Sequence, residues 1–189
     1  MTKKKIIIFG SSGGVGKEIV KLLKKKQYDL FLFNKKNLNF CISNSKNKIH
    51  DILKKIKPDI IINASGILGT NKDDYRKIFD INLMPSWEIV KYYKKINPKK
   101  NLLIIIMGST AYRSGRKNYI LYSSSKAALH NLCQGSREYL AGKKITIKLI
   151  NFGKIYTSMI KKFVRQNSPN VISPAKAALK ICKIFDKGI

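Results

Sequence analysis

Tyr122 and Lys126 stand four residues apart in the run Tyr122-Ser123-Ser124-Ser125-Lys126. Their surroundings, residues 119–141, have the pattern of a helix. On a helix, a spacing of four places both side chains on one face, one turn apart. A phenol ordinarily titrates near ~10. A neighbouring ammonium favours the phenolate, so such a tyrosine can exchange a proton with a substrate nearer neutral pH. The chain has 9 Tyr and 34 Lys among its 39 basic residues, so chance alone could supply this spacing. Its meaning depends on the elements that position it.

The first of those elements is a short apolar run, Lys5-Ile6-Ile7-Ile8-Phe9, as expected for a parallel strand buried on both faces. It leads directly into Gly10-Ser11-Ser12-Gly13-Gly14-Val15-Gly16, and a helical pattern follows to Lys26. Strand, glycine loop and helix start together form a phosphate-binding turn. Glycines permit the tight turn and the close approach of backbone to a pyrophosphate, whose charge meets the helix N-terminus. The loop positions assigned to a dinucleotide are Gly10, Ser11, Ser12, Gly14, Val15 and Gly16. The plain alternative is an ordinary strand-to-helix turn.

Apolar runs and helical patterns alternate along the rest of the chain. Strands are expected at 5–9, 29–33, 39–42, 59–63, 101–107 and 145–150, and helices at 15–26, 47–56, 73–96 (with a break near Pro85), 119–141 and 174–186. This alternation implies an α/β architecture: one doubly wound Rossmann-type domain spanning 1–189, a parallel sheet of about six strands with helices on both faces. The segment 153–173, rich in Lys, Ser and Asn and containing Pro169, reads as a flexible flap. Small or polar residues follow the central strands at Asn63-Ala64-Ser65-Gly66, Gly108-Ser109-Thr110 and Asn151 to Thr157. An open α/β sheet binds its ligands at such strand ends.

Hydrophobic residues make up 44% of the chain, which excludes a disordered polymer. The three cysteines, Cys41, Cys133 and Cys182, have no metal-ligand spacing and suit a reducing, cytoplasmic compartment; no metal is expected. The apolar run after Lys3-Lys4-Lys5 is too short to be a signal peptide or a membrane span. The net charge of +29 admits two explanations. Lysine, isoleucine and asparagine are all abundant, as coding bias in an AT-rich genome produces; the other explanation is a basic surface for an acidic partner. Nucleic acid is disfavoured, because the lysines are dispersed and no arginine stripe or nucleic-acid motif accompanies them.

With these motifs in place, the chain resembles the short-chain dehydrogenase/reductase family over nearly its whole length. The family's Gly-x-x-x-Gly-x-Gly is similar to Gly10, Gly14 and Gly16, and its Asn-Asn-Ala-Gly resembles Asn63-Ala64-Ser65-Gly66 with one residue altered. Asn82 in Asp80-Ile81-Asn82-Leu83 matches the active-site asparagine, and Ser109, thirteen residues before Tyr122, matches the catalytic serine. The resemblance implies that Tyr122 is the general acid/base and that Ser109 holds the substrate oxygen. It implies that Lys126 lowers the tyrosine pKa and binds the nicotinamide ribose, and that Asn82 interrupts its helix and anchors a proton-relay water. Asn63, Ala64, Gly66, Gly153, Ile155 and Thr157 would contact the cofactor, the last two near the carboxamide.

The end of the second predicted strand selects the cofactor. An acidic residue there would bind the ribose of NAD; Asn34, Lys35 and Lys36 stand in its place, so NADP(H) is expected over NAD(H), unless these are two more solvated lysines. The expected reaction is reduction of a small-molecule carbonyl or oxidation of an alcohol by a homodimer or homotetramer associating through 73–96 and 119–141. Two other readings remain: a nucleotide-sugar epimerase or dehydratase, since Gly10, Gly13 and Gly16 also fit its Gly-x-x-Gly-x-x-Gly, and a non-catalytic NADP-binding sensor. The chain departs from the family in several places. Little sequence follows 174–186 to form the usual final strand and tail, Phe152 replaces a proline, and 34–58 is compressed, with Ser43 or Asn44 expected beside the adenine. His50 and His130 are expected to be surface or helix histidines. The substrate pocket is expected from 110–119 and 156–173, where Arg113 and Arg116 either meet an anionic substrate or are solvated.

Overall fold

The computed structural model describes residues 2–70 and 74–186. Five parallel strands form the main sheet: β1 (Lys4–Phe9), β2 (Tyr28–Phe33), β3 (Ile60–Asn63), β4 (Leu102–Ser109) and β5 (Ile145–Phe152), in the order β2-β1-β3-β4-β5. Two residue pairs, β6 (Lys154–Ile155) and β7 (Val171–Ile172), form a separate small parallel ladder. The helices are α1 (Gly14–Leu23), α2 (Ser45–Ile56), α3 (Tyr75–Asn82), α4 (Met84–Lys95), α5 (Ile120–Tyr139) and α6 (Pro174–Asp186).

Alternation along the strands explains the two-sided winding, because successive side chains point to opposite faces. Ile6 and Ile8 of β1 pack with Val15, Ile19 and Leu23 of α1 and with Ala177, Ala178 and Ile181 of α6. Ile7 and Phe9 face the other way, into a core with Ile49 and Leu53 of α2, Ile89 and Tyr93 of α4, and Leu129 and Cys133 of α5. The near-continuous apolar runs of the central strands therefore serve two cores.

The expected strand at 39–42 does not form, so the main sheet has five strands rather than about six. Local bonds replace a ladder there: the Cys41 N–H donates to Asn39 Oδ1 (3.1 Å) and the Ile42 N–H to the Asn39 carbonyl (3.3 Å), while just upstream the Asn34 N–H donates to Asn37 Oδ1 (2.7 Å) and the Lys36 N–H to Asn34 Oδ1 (2.9 Å). Asparagines that bond backbone nearby compete in this way with a ladder. Phe40 still finds the core, edge-on to Phe9 at 6.1 Å between centroids.

The predicted break near Pro85 falls at Leu83, between α3 and α4. Pro85 stands in the first turn of α4, where its missing N–H has no partner to lose, and within a continuous helix it would remove a bond to the preceding turn. Asp74 caps α3 by accepting the Arg76 N–H at 2.9 Å. Residue 73, the first of the predicted helix 73–96, lies outside the described residues. The segment 153–173 is more ordered than a flap: β6–β7 and a Tyr156 N–H bond to the Ile172 carbonyl (2.9 Å) close it at its base.

Candidate active site

Between β1 and β3 the chain reverses its direction of progress across the sheet, leaving a crevice at the strand C-termini. Gly10, at φ +76°, forms its floor; a Cβ there would lie 2.7 Å from the Ala64 carbonyl carbon and the Ser65 nitrogen. Gly16 packs its Cα against the Gly10 carbonyl, again with no space for a side chain. These contacts press the start of α1 onto the ends of β1 and β3. Two adjoining clefts follow the crevice, of about 820 and 890 Å³. They share Gly13, the loop 64–68 and Met159. Each lies within the about 300–1,000 Å³ of small-molecule sites.

The first cleft brings together Ser109, Tyr122 and Lys126, with Gly14, Val15, Gly153, Ile155 and Thr157 around them. Gly10, Ser12, Asn34 and Lys35 line the second, and Ala64 and Gly66 line both. Four predicted site residues lie behind the walls. The Ser11 hydroxyl donates to the Phe33 carbonyl (3.0 Å) at the end of β2. Gly16 acts through the close approach described above. Asn63 donates to Ser86 Oγ (2.9 Å), while its Oδ1 accepts from the Ser65 N–H (3.1 Å) and from the Ser65 hydroxyl.

Asn82 is the fourth. It is buried at the end of α3, where its Oδ1 accepts the Ile67 N–H (2.8 Å) and its Nδ2 donates to the Ile67 carbonyl (3.0 Å) and to Ser125 Oγ (3.0 Å). Ser125 in turn donates to the Tyr122 carbonyl (2.7 Å). Asn82 thus joins the loop after β3 to the turn of α5 that presents Tyr122. Ser125 and Ile67 were not singled out from the sequence. A small polar residue inside a helix, three positions after the tyrosine, is the signal that marks Ser125.

Burial raises the Tyr122 phenol above its ordinary value, and a hydrogen bond with Ser109 pulls in the opposite direction. The expected depression by Lys126 is therefore corrected: burial prevails, and the Lys126 Nζ lies 5.8 Å from the tyrosine ring centroid. Lys126 is itself pushed down to about 8, chiefly because burial disfavours its charged form. Its Nζ approaches the Met107 carbonyl at 3.5 Å. Ser109 ends β4 and its hydroxyl also accepts the Ala111 N–H at 3.2 Å, which fixes the turn that follows.

Ser43 and Asn44 line neither cleft; Leu38, Asn39, Phe40 and Cys41 form that end, because the Asn-rich turns redirect the chain before α2. Phe152, in the proline position, is buried and lines the first cleft. The histidines are more engaged than expected. His50 Nε2 lies 3.1 Å from the buried Glu88 carboxylate, and His130 stacks on Tyr112 at 3.9 Å between centroids. Met159 and Phe163 stand over the second cleft, an i,i+4 apolar pair within a polar stretch. Among the described residues no group of three His, Cys, Asp or Glu side chains is placed to hold a metal, and no helix is long and apolar enough to cross a membrane.

A parallel sheet with a reversal point, a glycine crevice and a Ser–Tyr–Lys cluster in the adjoining cleft defines a class of open α/β proteins with a ligand site at the strand ends, and sequence comparison names the family. The family model described as "short chain dehydrogenase" matches residues 42–168, or 127 of 189 residues. The chain belongs to the short chain dehydrogenase family. A second model, "RmlD substrate binding domain", matches residues 4–75. Carbonyl reductase family member 4 of Xenopus laevis is 25% identical, with 88% of this chain and 81% of that protein covered. The 3-oxoacyl-[acyl-carrier-protein] reductase FabG of Buchnera aphidicola (Acyrthosiphon pisum strain) is 26% identical, covering 86% and 78%. Solved structures share the fold. A short chain dehydrogenase from Burkholderia cenocepacia, in complex with NADP, has a TM-score of 0.77 at 15% identity, covering 99% and 86%. The 3-alpha-hydroxysteroid dehydrogenase from Pseudomonas sp. B-0831, complexed with NADH, has a TM-score of 0.80 at 13% identity, covering 96% and 89%.

Proposed function

We infer that the chain is an NADP(H)-dependent oxidoreductase that reduces a small-molecule carbonyl, or oxidises the corresponding alcohol, with Tyr122 as the proton donor and acceptor. The observation carrying this reading is the convergence of Ser109, Tyr122 and Lys126 on a cleft that continues to the glycine crevice. The crevice suits a dinucleotide: the start of α1 opens on both clefts through Gly13, and backbone rather than side chains forms the floor at Gly10. Gly14, Val15 and the 64–66 loop would hold the phosphates and central riboses, and Thr157 and Ile155 the nicotinamide end. At the other end Asn34 and Lys35 close β2 without a carboxylate to repel a 2′-phosphate, which favours NADP(H) over NAD(H). When bound, the nicotinamide supplies or takes up the hydride.

The chain supplies position and proton. Ser109 Oγ directs the carbonyl oxygen, and the Tyr122 hydroxyl, kept protonated by burial, donates its proton to that oxygen as negative charge develops there. Ser109 also stabilises the phenolate that remains. Lys126 sits one helical turn on and exchanges a proton near the working pH, since its value is about 8. Asn82 positions this set through Ile67 and Ser125.

Tyr122→Phe tests the assignment. It should keep NADPH affinity, tighter than for NADH in a fluorescence titration, and lose about 10²–10⁴-fold in turnover. Full turnover by the variant would remove Tyr122 from the chemistry, and tighter NADH binding would reverse the cofactor choice. The match of residues 4–75 to the RmlD model favours one second reading, a nucleotide-sugar epimerase or dehydratase. Hydrogen-isotope exchange in a nucleotide sugar without net cofactor oxidation is the result that would select it.

A further inference from the structure

Arg116 stands in the first cleft with Tyr119 and Tyr122. Its backbone is tied to the proton-donating helix: Ser123, buried and adjacent to Tyr122, accepts the Arg116 N–H (3.3 Å) and donates to the Tyr119 carbonyl (2.8 Å). The Tyr119 N–H donates back to the Arg116 carbonyl at 2.8 Å. Arg116 thus keeps a set position relative to Tyr122. Its guanidinium has no hydrogen-bond or ion-pair partner among the described residues, and no carboxylate lines this cleft. The neighbouring arginine contrasts with it. Arg113 donates from Nε to the Tyr112 hydroxyl (3.4 Å) and lies outside both clefts. Of the other cations lining the cleft, Lys126 is buried against the Met107 carbonyl, and Lys154 lies across the cleft in β6.

A five-donor planar cation whose backbone is anchored at the wall of a cleft, with no acid among the described lining residues, matches a carboxylate or phosphate. We propose that Arg116 is an anion subsite of the active-site cleft, selecting carbonyl substrates that bear a carboxylate or phosphate remote from the reacting oxygen. The proposal rests on the reading of Tyr122 as proton donor to that oxygen. The ester or unphosphorylated analogue of such a substrate would leave the guanidinium unmatched. A charge-assisted contact of this kind changes affinity about ten- to hundredfold.

Two measurements test it. The first compares NADPH-dependent reduction of straight-chain oxo acids with their methyl esters, and of dihydroxyacetone phosphate with dihydroxyacetone. The wild-type protein should favour the anionic member of at least one pair by about tenfold or more in kcat/KM, and the favoured pair identifies the anion. Arg116→Gln should bring that ratio near one through KM, and Arg116→Lys should keep part of it. Equal use of both members of every pair, or a ratio unmoved in Arg116→Gln, overturns the subsite while leaving the oxidoreductase reading intact. The second measurement does not need turnover. In protein labelled with 15N-arginine, the Arg116 Nε–H signal, identified by its loss in Arg116→Gln, should shift saturably with an anionic compound and not with its neutral analogue. A saturable shift without reduction of any carbonyl would count against the oxidoreductase reading and reduce Arg116 to an anion contact that selects no carbonyl substrate; no shift overturns the subsite.

Discussion

At the floor of the groove, Gly10 and Gly16 meet backbone with no room for a methyl group, and Asn63 and Asn82 are buried with amide partners on Ser86, Ile67 and Ser125. Over its mouth, residues 153–172 are tied by a ladder of two residues per strand, and Met159 and Phe163 remain exposed at 36% and 58%. The floor is over-determined and the roof is lightly held. Proton transfer needs fixed geometry, and the floor supplies it; admission and selection of a substrate tolerate motion, and the roof can supply that. Gly14 is where they meet, since a Cβ there would lie 2.7 Å from the Thr157 methyl carbon.

Breaking the floor should have the largest effect. Gly10→Ala places a Cβ at positive φ against the backbone of Ala64 and Ser65, neither of which can rotate away. A loss of about 3 kcal/mol or more is expected in urea unfolding. A loss below about 1 kcal/mol would show that the floor yields.

The next effect is the pH dependence of stability set by Lys126. Its value falls from 10.5 in the unfolded chain to about 8 in the folded protein, so between those limits the unfolded chain still holds a proton that the folded protein has released. More protons on the unfolded side means that stability rises with pH across this window, while below about 8 the cost of burying the charge is felt in full. Cys133 acts in the opposite sense from 9.0 upward, because burial pushes its folded value to about 12. The wild-type curve is therefore compared with Lys126→Met in urea. The variant should be the more stable at pH 7, with the advantage shrinking as pH rises; a constant difference would show that Lys126 does not titrate in this range.

Gly14→Ala should give the smallest change in stability and so sharpen the contrast. Alanine gains at most about 0.5–1 kcal/mol of helix preference over glycine, and its Cβ meets the Thr157 side chain of the lightly held roof rather than the backbone of the floor. Stability should hold while Thr157 moves and kcat/KM falls several-fold. Equal losses in both would mean that roof and floor form one rigid unit.

The fold was legible where local chemistry and periodicity agree. The β-α alternation, the glycine turn after β1 and the break at Pro85 follow from burial pattern, φ limits and the missing proline N–H. The strand at 39–42 was misread because Phe40, Cys41 and Ile42 look extended on hydropathy alone, whereas Asn39 captures the N–H groups of Cys41 and Ile42 in a local turn. The cluster of Ser109, Tyr122 and Lys126 was legible from spacing. The parts of Ser125, Ile67 and Ser86 were not, because each acts through a partner distant in sequence.

By itself the sequence determined which groups could do chemistry and that they would stand at strand ends and on one helical face, since spacing and periodicity are local properties. Only the tertiary structure decided how those groups are tuned. Whether Lys126 lowers the Tyr122 pKa depends on the burial of both and on the 5.8 Å from ammonium to ring. Desolvation and distance arise when β4, α3 and α5 meet, and no run of neighbouring residues contains them.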